Sequence, residues 1–358
     1  MKRWTILLLA VLSLTPKPAS AWHNRGHMAV ARIAWHRLVH DGLDRQAMQI
    51  LNTHPHRELF LATGRPEEIE QDEWLFVQAA TWPDWVRRPM APGLDEPSAK
   101  LTAEEFNKPV WHYVNLPYIH PAEKGEFDEA ALRTAILEPE FDELGNPRHV
   151  LAAIKYNLKR IESAEAPLSE RAVAICWVQH LIGDLHQPLH AVGLIGSRST
   201  LQTEEFLPPS GDQGGNRLAI RAHADDLAAT PLHTYWDSRL MADLPYPTVQ
   251  GRVLAWLNDP ALSRAHFAAA LEKKQPLDWA DESFGLAKSV VYTDRGEFLK
   301  ARPLPLKYMR TELEGMQAPI LSAEYHARAD KVAEQRMVLA GYRLGDALAA
   351  ALKNAPAK

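Results

Sequence analysis

Cysteine is almost missing from this chain: Cys176 is the only one in 358 residues, so no intramolecular disulfide can form. Cys176 sits in the apolar run RAVAICWVQHL and reads as a buried structural thiol, not a nucleophile. There is no Asn-x-Ser/Thr acceptor, which excludes N-linked glycosylation. An excess of positive charge is also missing. Lys and Arg total 40 against 45 Asp and Glu, a net charge of −5. Such a chain does not hold a polyanion on a broad basic face, so any action on phosphates needs bound cations or a few placed arginines. Beyond the first residues no apolar run approaches the roughly 18 needed to cross a membrane. Period-two alternation is too short anywhere to give a convincing sheet.

What is present begins with an export signal. Lys2 and Arg3 precede an apolar stretch over 6–14, and Ala19-Ser20-Ala21 forms a small-residue exit, the layout of a cleavable signal peptide. Cleavage after Ala21 leaves 358 − 21 = 337 residues and removes Lys2, Arg3 and Lys17, taking the charge from −5 to −8. The expected organisation is a signal peptide over 1–21 and one domain over 22–358. The product is exported, to a bacterial periplasm or the medium, with no membrane anchor after processing, and acts as a monomer.

Helical periodicity dominates the rest, with apolar residues at steps of three and four over 28–51, 130–137, 150–164, 171–185, 253–257, 281–291 and 323–352. Connections rich in proline, glycine and polar residues fall over 89–109 and 191–231, and 353–358 reads as a frayed tail. The fold class is all-α, a single compact multi-helix domain, because the candidate ligands are scattered from Trp22 to Asp237 and must converge.

Histidine is abundant, at 16. The strongest motif is HLIGDLHQPLH, where His180 and Asp184 stand four apart and project from one helical face, as two groups gripping one cation must. Pro188 ends or kinks that helix near Gln187, which frees His190 to approach from another angle. In LHTYWDSRL the pair His233 and Asp237 repeats the same step. Either pair alone also fits an ordinary surface ion pair; together with His190 they favour metal. Upstream, TWPDWVR offers Asp84 and Arg87, and WHYVN offers His112 beside Tyr113. Imidazole and carboxylate donors suit zinc. Cleavage after Ala21 also frees the Trp22 amine, which can chelate a metal with its own carbonyl oxygen, and His27 in WHNRGH follows five residues on.

From WHNRGH through TWPDWVR, WHYVN, HLIGDLHQPLH, GGN and LHTYWD to WADESFGLAKSVVY, nearly the whole mature chain resembles the zinc-dependent single-strand-specific nucleases of fungi, plants and bacteria, which also act as 3'-nucleotidases. The resemblance implies the fold type shared with zinc-dependent phospholipases C, with a metal cluster at the base of a cleft. It implies three zinc ions: one on Asp84, His112, His180 and Asp184; a second on the Trp22 amine and carbonyl, His27 and Asp184; a third on His190, His233 and Asp237. Asp84 is then also the proton acceptor or orienting group for an attacking water, Arg87 contacts the phosphate, and Asn216 contacts substrate. In-line attack leaves a 5'-phosphate on single-stranded RNA or DNA. Tyr113 is placed to stack on an unpaired base and Asn115 to bond a base edge. The fungal pattern favours Phe and Asp at these two positions, so base preference does not carry over.

Two other classes stay open on sequence. A zinc-dependent phospholipase C spaces the terminal Trp and first His more widely and usually closes its ligand set with Glu, where this chain has Asp237. A non-catalytic zinc-binding protein has no use for Arg87, Asn216 or an open third site. His36, His40, His54 and His56 read as surface or packing residues. His186 points away from the His180 face and reads as structural, and Glu282 and Ser283 as supports behind the site.

Overall fold

The computed structural model describes residues 22–87, 96–201 and 204–355. The expected signal segment 1–21 lies outside the described residues, as do 88–95, 202–203 and 356–358 within the expected connections and tail. The architecture is all-α, as the periodicity predicts. Its centre is the helix Leu168–His186, buried on almost every side from Arg171 to His186. A helix that is apolar nearly all round has to sit inside the protein. Leu181, Ile182 and Leu185 are fully buried there, each contributing about 1.5–3 kcal/mol of transfer free energy before ordering entropy is subtracted.

Around it pack Val150–Glu162, the first helix Asn24–His40 and the closing helix Ala323–Asn354. The first and closing helices approach closely because Gly341 has no side chain. A Cβ there would lie 2.5 Å from the Ile33 Cβ. Among the described residues no helix is long and apolar enough to cross a membrane.

The structure departs from the predicted elements in several places. The 28–51 stretch is two helices, Asn24–His40 and Asp44–Leu51, broken at Gly42, whose φ of +68° the helix cannot accommodate. The connection read over 89–109 contains a helix, Glu96–Phe106, whose proline falls in the first turn, where it is tolerated. The 281–291 stretch is the end of Pro276–Leu286 followed by a π-helical turn, Ala287–Val291. Helix Gln71–Ala79, also not predicted, has seven of its nine residues buried, so no apolar stripe marks it. The 191–231 connection is not structureless. Val192–Ile195 pairs in parallel with Leu116–Ile119, and Leu218–Ile220 runs antiparallel to Thr230–Pro231 and Arg302–Pro303. These short strands lie in connections and leave the fold class unchanged.

Candidate metal centre

Four short stretches and the first helix deliver side chains to one end of the central helix. His180 and Asp184 project from its last turns. The helix then stops because Gln187, ahead of Pro188, is held in extended backbone (φ −80°, ψ 119°). A 3-10 turn, Pro188–Ala191, carries His190 back toward the site, and another, Pro109–His112, presents His112. Helix Leu232–Asp237 supplies His233 and Asp237. Trp82–Trp85 supplies Asp84, and the first helix supplies His27.

The donors form three groups among the described residues, each with its ligand atoms within 4.8 Å of one another: His27, His180 and Asp184; Asp84, His112 and His180; His190, His233 and Asp237. All of these residues are buried. His180 belongs to two groups. Its Nε2 lies 3.4 Å from Asp184 Oδ1, 3.8 Å from Asp84 Oδ1 and 3.2 Å from His112 Nδ1. His27 Nε2 is 3.3 Å from Asp184 Oδ1, and the His27 and His180 rings stack at 3.9 Å. That stacking depends on Gly183, where a Cβ would sit 2.8 Å from His27 Nδ1. His112 Nδ1 is 2.9 Å from Asp184 Oδ2.

Backbone carbonyls fix the proton on three of these imidazoles. A carbonyl oxygen can only accept, so the Nδ1 of His180 donates to Ala80 (2.8 Å), that of His190 to His112 (2.7 Å) and that of His233 to Gly214 (2.6 Å). Burial, first of all, holds His180 and His190 well below the ordinary histidine range and lowers His233 to about 4. Each is therefore neutral, and its Nε2 turns a bare lone pair inward. The carboxylates are in the converse position. Burial raises Asp184 to about 7 and lifts Asp237 well above the usual carboxylate range. Among the described residues, Asp84 Oδ2, His112 Nε2, His190 Nε2 and Asp237 Oδ2 have no hydrogen-bond partner. Bare imidazole nitrogens and carboxyl oxygens thus converge with few hydrogen-bond donors among them, an arrangement that fits a bound cation, whose charge would keep the carboxyls ionised. The donor set, nitrogen and oxygen, suits zinc.

The expected Trp22 is fully buried, and His23 N donates to the Asp237 carbonyl at 2.7 Å, which anchors the start of the described chain beside the third group. Arg87, Tyr113, Asn115 and Asn216 come together with His112, His190 and His233 in the lining of one cleft of about 380 Å³. Arg87 bonds Asp84 Oδ1 at 3.3 Å, Tyr113 is 38% exposed, and Asn216 Nδ2 donates to Gln213 O at 2.8 Å. A somewhat larger cavity, about 450 Å³, lies elsewhere and contains none of the grouped donors, so size does not locate the chemistry here.

Gln187, Asp212, Arg336 and Arg343 escaped sequence reasoning. Gln187 Nε2 donates to Asp237 Oδ1 at 2.7 Å, leaving Oδ2 to face His233 Nε2 at 3.4 Å, and Gln187 Oε1 accepts from Leu189 N at 2.6 Å. Asp212 is raised to about 6, by burial above all, and accepts from Leu194 N, Gly215 N and the Tyr292 hydroxyl, bracing the turn that carries Asn216. Below the helix end, His186 bonds the Ile182 carbonyl and Arg343, while Glu282 binds both Arg336 and Arg343. Ser283 donates to the Leu185 carbonyl at 2.5 Å. His54 and His56 pack around Trp82, and Cys176 is buried with its thiol pushed well up by desolvation.

The family model described as S1/P1 Nuclease matches residues 22–353. No curated protein matches the chain.

Proposed function

The chain belongs to the S1/P1 nuclease family and is a nuclease, and from that premise we propose that it is an exported three-zinc enzyme that cuts single-stranded RNA and DNA to leave 5'-phosphates and also removes 3'-phosphates from nucleotides. The observation that carries the reading is the convergence of bare imidazole nitrogens and buried carboxyl oxygens in three groups, two of which reach the lining of one cleft through His112, His190 and His233. In this reading His27, Asp184 and the Trp22 amine and carbonyl hold one ion. Asp84, His112, His180 and Asp184 hold a second, and His190, His233 and Asp237 a third. His180 lies close enough to both Asp84 and Asp184 to stand at the junction of the first two sets.

Zinc, when bound, acidifies water to a pKa near 7 and neutralises charge on phosphate oxygens. The remaining work falls to this chain's own side chains. Arg87 sits at the cleft wall with its guanidinium on Asp84, where it can meet an equatorial phosphate oxygen while Asp84 orients or deprotonates the attacking water. Asn216 faces the same space from the Asp212-braced turn. Tyr113 offers a half-exposed ring on which only an unpaired base can stack, which favours single strands.

Removal of residues 1–21 is part of the proposal. The family match begins at Trp22, and His23 is tied to Asp237, so a free Trp22 amine would lie beside the cluster. The test is hydrolysis of matched single-stranded and duplex DNA and RNA by the mature protein, with end-group analysis of the products. Faster cleavage of single strands with 5'-phosphate ends supports the reading. No cleavage of any nucleic acid by the metal-loaded protein contradicts it.

A further inference from the structure

The Pro109–His112 turn divides two cavities. Pro109 and His112 line the metal-side cleft, and their neighbours Lys108 and Trp111 line the cavity of about 450 Å³ behind it. We propose that this second cavity is a base-binding subsite, which holds a nucleotide of the single-stranded substrate beyond the one at the metal centre. The inference rests on the nuclease reading of that centre and adds where the strand goes next.

Three features carry it. The first is continuity: adjacent residues are about 3.8 Å apart along the chain, so one turn separates the two spaces. Trp177 also packs on both sides, 5.5 Å from the His112 ring and 4.9 Å from Trp111. The second is an aromatic wall. Trp111 and Tyr156 meet at 5.9 Å, and Tyr156 is 38% exposed toward solvent. The volume is within the range of small-molecule sites.

The third is charge. On a chain of net −5, helix Val150–Glu162 carries Lys155, Lys159 and Arg160 within six positions. Lys155 pairs with Glu140 and Arg160 with Glu170, whereas Lys108 and Lys159 have no ion pair among the described residues. Tyr156 and Arg160 also line a further depression of about 400 Å³, together with Lys155, Lys159 and Phe141. Phe141 is 36% exposed. Aromatic faces interleaved with cations, running on from a phosphate-cutting cleft, match a strand whose bases stack while its phosphates follow the lysines.

The experiment compares a 3'-mononucleotide with a dodecanucleotide as substrates of the zinc-loaded protein, for wild type, Tyr156→Ala, Tyr156→Phe and Lys108→Ala with Lys159→Ala. The subsite predicts that Tyr156→Ala raises KM for the dodecanucleotide about 5- to 140-fold and leaves kcat and the mononucleotide unchanged. Tyr156→Phe, which keeps the ring, restores the wild-type KM. The double lysine variant flattens the dependence of log KM on log salt by about 0.7 for each phosphate that a lysine no longer neutralises. Anisotropy of a labelled, cleavage-resistant phosphorothioate dodecanucleotide follows the same order. An unchanged KM in Tyr156→Ala, or equal losses on both substrates, overturns the subsite while the nuclease reading stands. Failure of the wild type to cut either substrate removes both.

Discussion

Replacing Gln187 by methionine separates the support of the proposed metal ligand Asp237 from that ligand itself. Methionine nearly matches glutamine in volume and cannot donate, so Asp237 Oδ1 loses its 2.7 Å hydrogen bond while packing is kept. A hydrogen bond to a charged group contributes about 1.5–3 kcal/mol. Loss of a residue that orients a metal ligand typically weakens binding 10- to 100-fold, which converts to about 1.4–2.8 kcal/mol. The two routes agree. Competition with a zinc-binding dye should therefore show one ion per chain weakened about 10- to 100-fold and the others unchanged. The same substitution removes the acceptor for Leu189 N, 2.6 Å away in the wild type, so the metal-free protein should lose about 1–3 kcal/mol in urea unfolding. Gln187→Glu keeps that acceptor but sets a carboxylate against Asp237, and should weaken the same ion at least as much. A Gln187→Met protein that binds every ion as the wild type does would refute the claim that this amide orients Asp237.

Gly183→Ala places a Cβ 2.8 Å from His27 Nδ1, so the ring must move. Zinc per chain should drop and thermal stability should fall by about 1–3 kcal/mol, and a fully loaded variant with wild-type Tm would count against the stacked geometry. One residue left ahead of Trp22 turns the amine into an amide without a free lone pair. Mass spectrometry under native conditions should find fewer zinc ions in that form than in a chain beginning at Trp22, and equal loading would show that the amine is not a ligand.

Acid should unfold the loaded protein in two overlapping stages. Burial lowers His54 to about 3, so its stabilisation is complete above pH 6.5 and is lost as pH falls toward 3. At Glu282 burial pushes the pKa up, but the hydrogen bond from Arg343 and the charge of Arg336 outweigh it and bring the group to about 2. Its stabilisation is complete above pH 4.5 and is lost as pH falls toward 2. After allowance for solvent screening the Glu282 share is about 1–2 kcal/mol. Urea midpoints of Glu282→Gln should be flatter than wild type between those limits, and a parallel curve would refute the assignment.

The donors were legible in the sequence because helix geometry is local. His180 and Asp184, or His233 and Asp237, are four apart and can be placed on one face without knowing the fold. The Gln187 and Arg343 contacts were not, since each acts across a long separation. Gln187 reaches Asp237 over 50 residues, and Arg343 reaches His186 over 157. Gln187 read only as the end of a helix, yet its side chain orients a carboxylate because Pro188 holds its backbone extended. Asp212 had no periodicity or metal spacing to mark it; what singles it out is burial among backbone donors from Leu194 and Gly215. The helix Glu96–Phe106 was missed because a proline in the first turn looks, in sequence, like a break. The 28–51 stretch was read as continuous because the apolar spacing persists across Gly42.

The most direct test of the metal centre is zinc per chain measured together with single-strand cleavage, before and after chelation, for the mature protein and Asp184→Asn. Three zinc ions, activity that chelation abolishes and zinc restores, and loss of both metal and cleavage in Asp184→Asn are the predicted results. Full cleavage by the chelated protein, or an Asp184→Asn variant that keeps its zinc and its activity, would contradict the account.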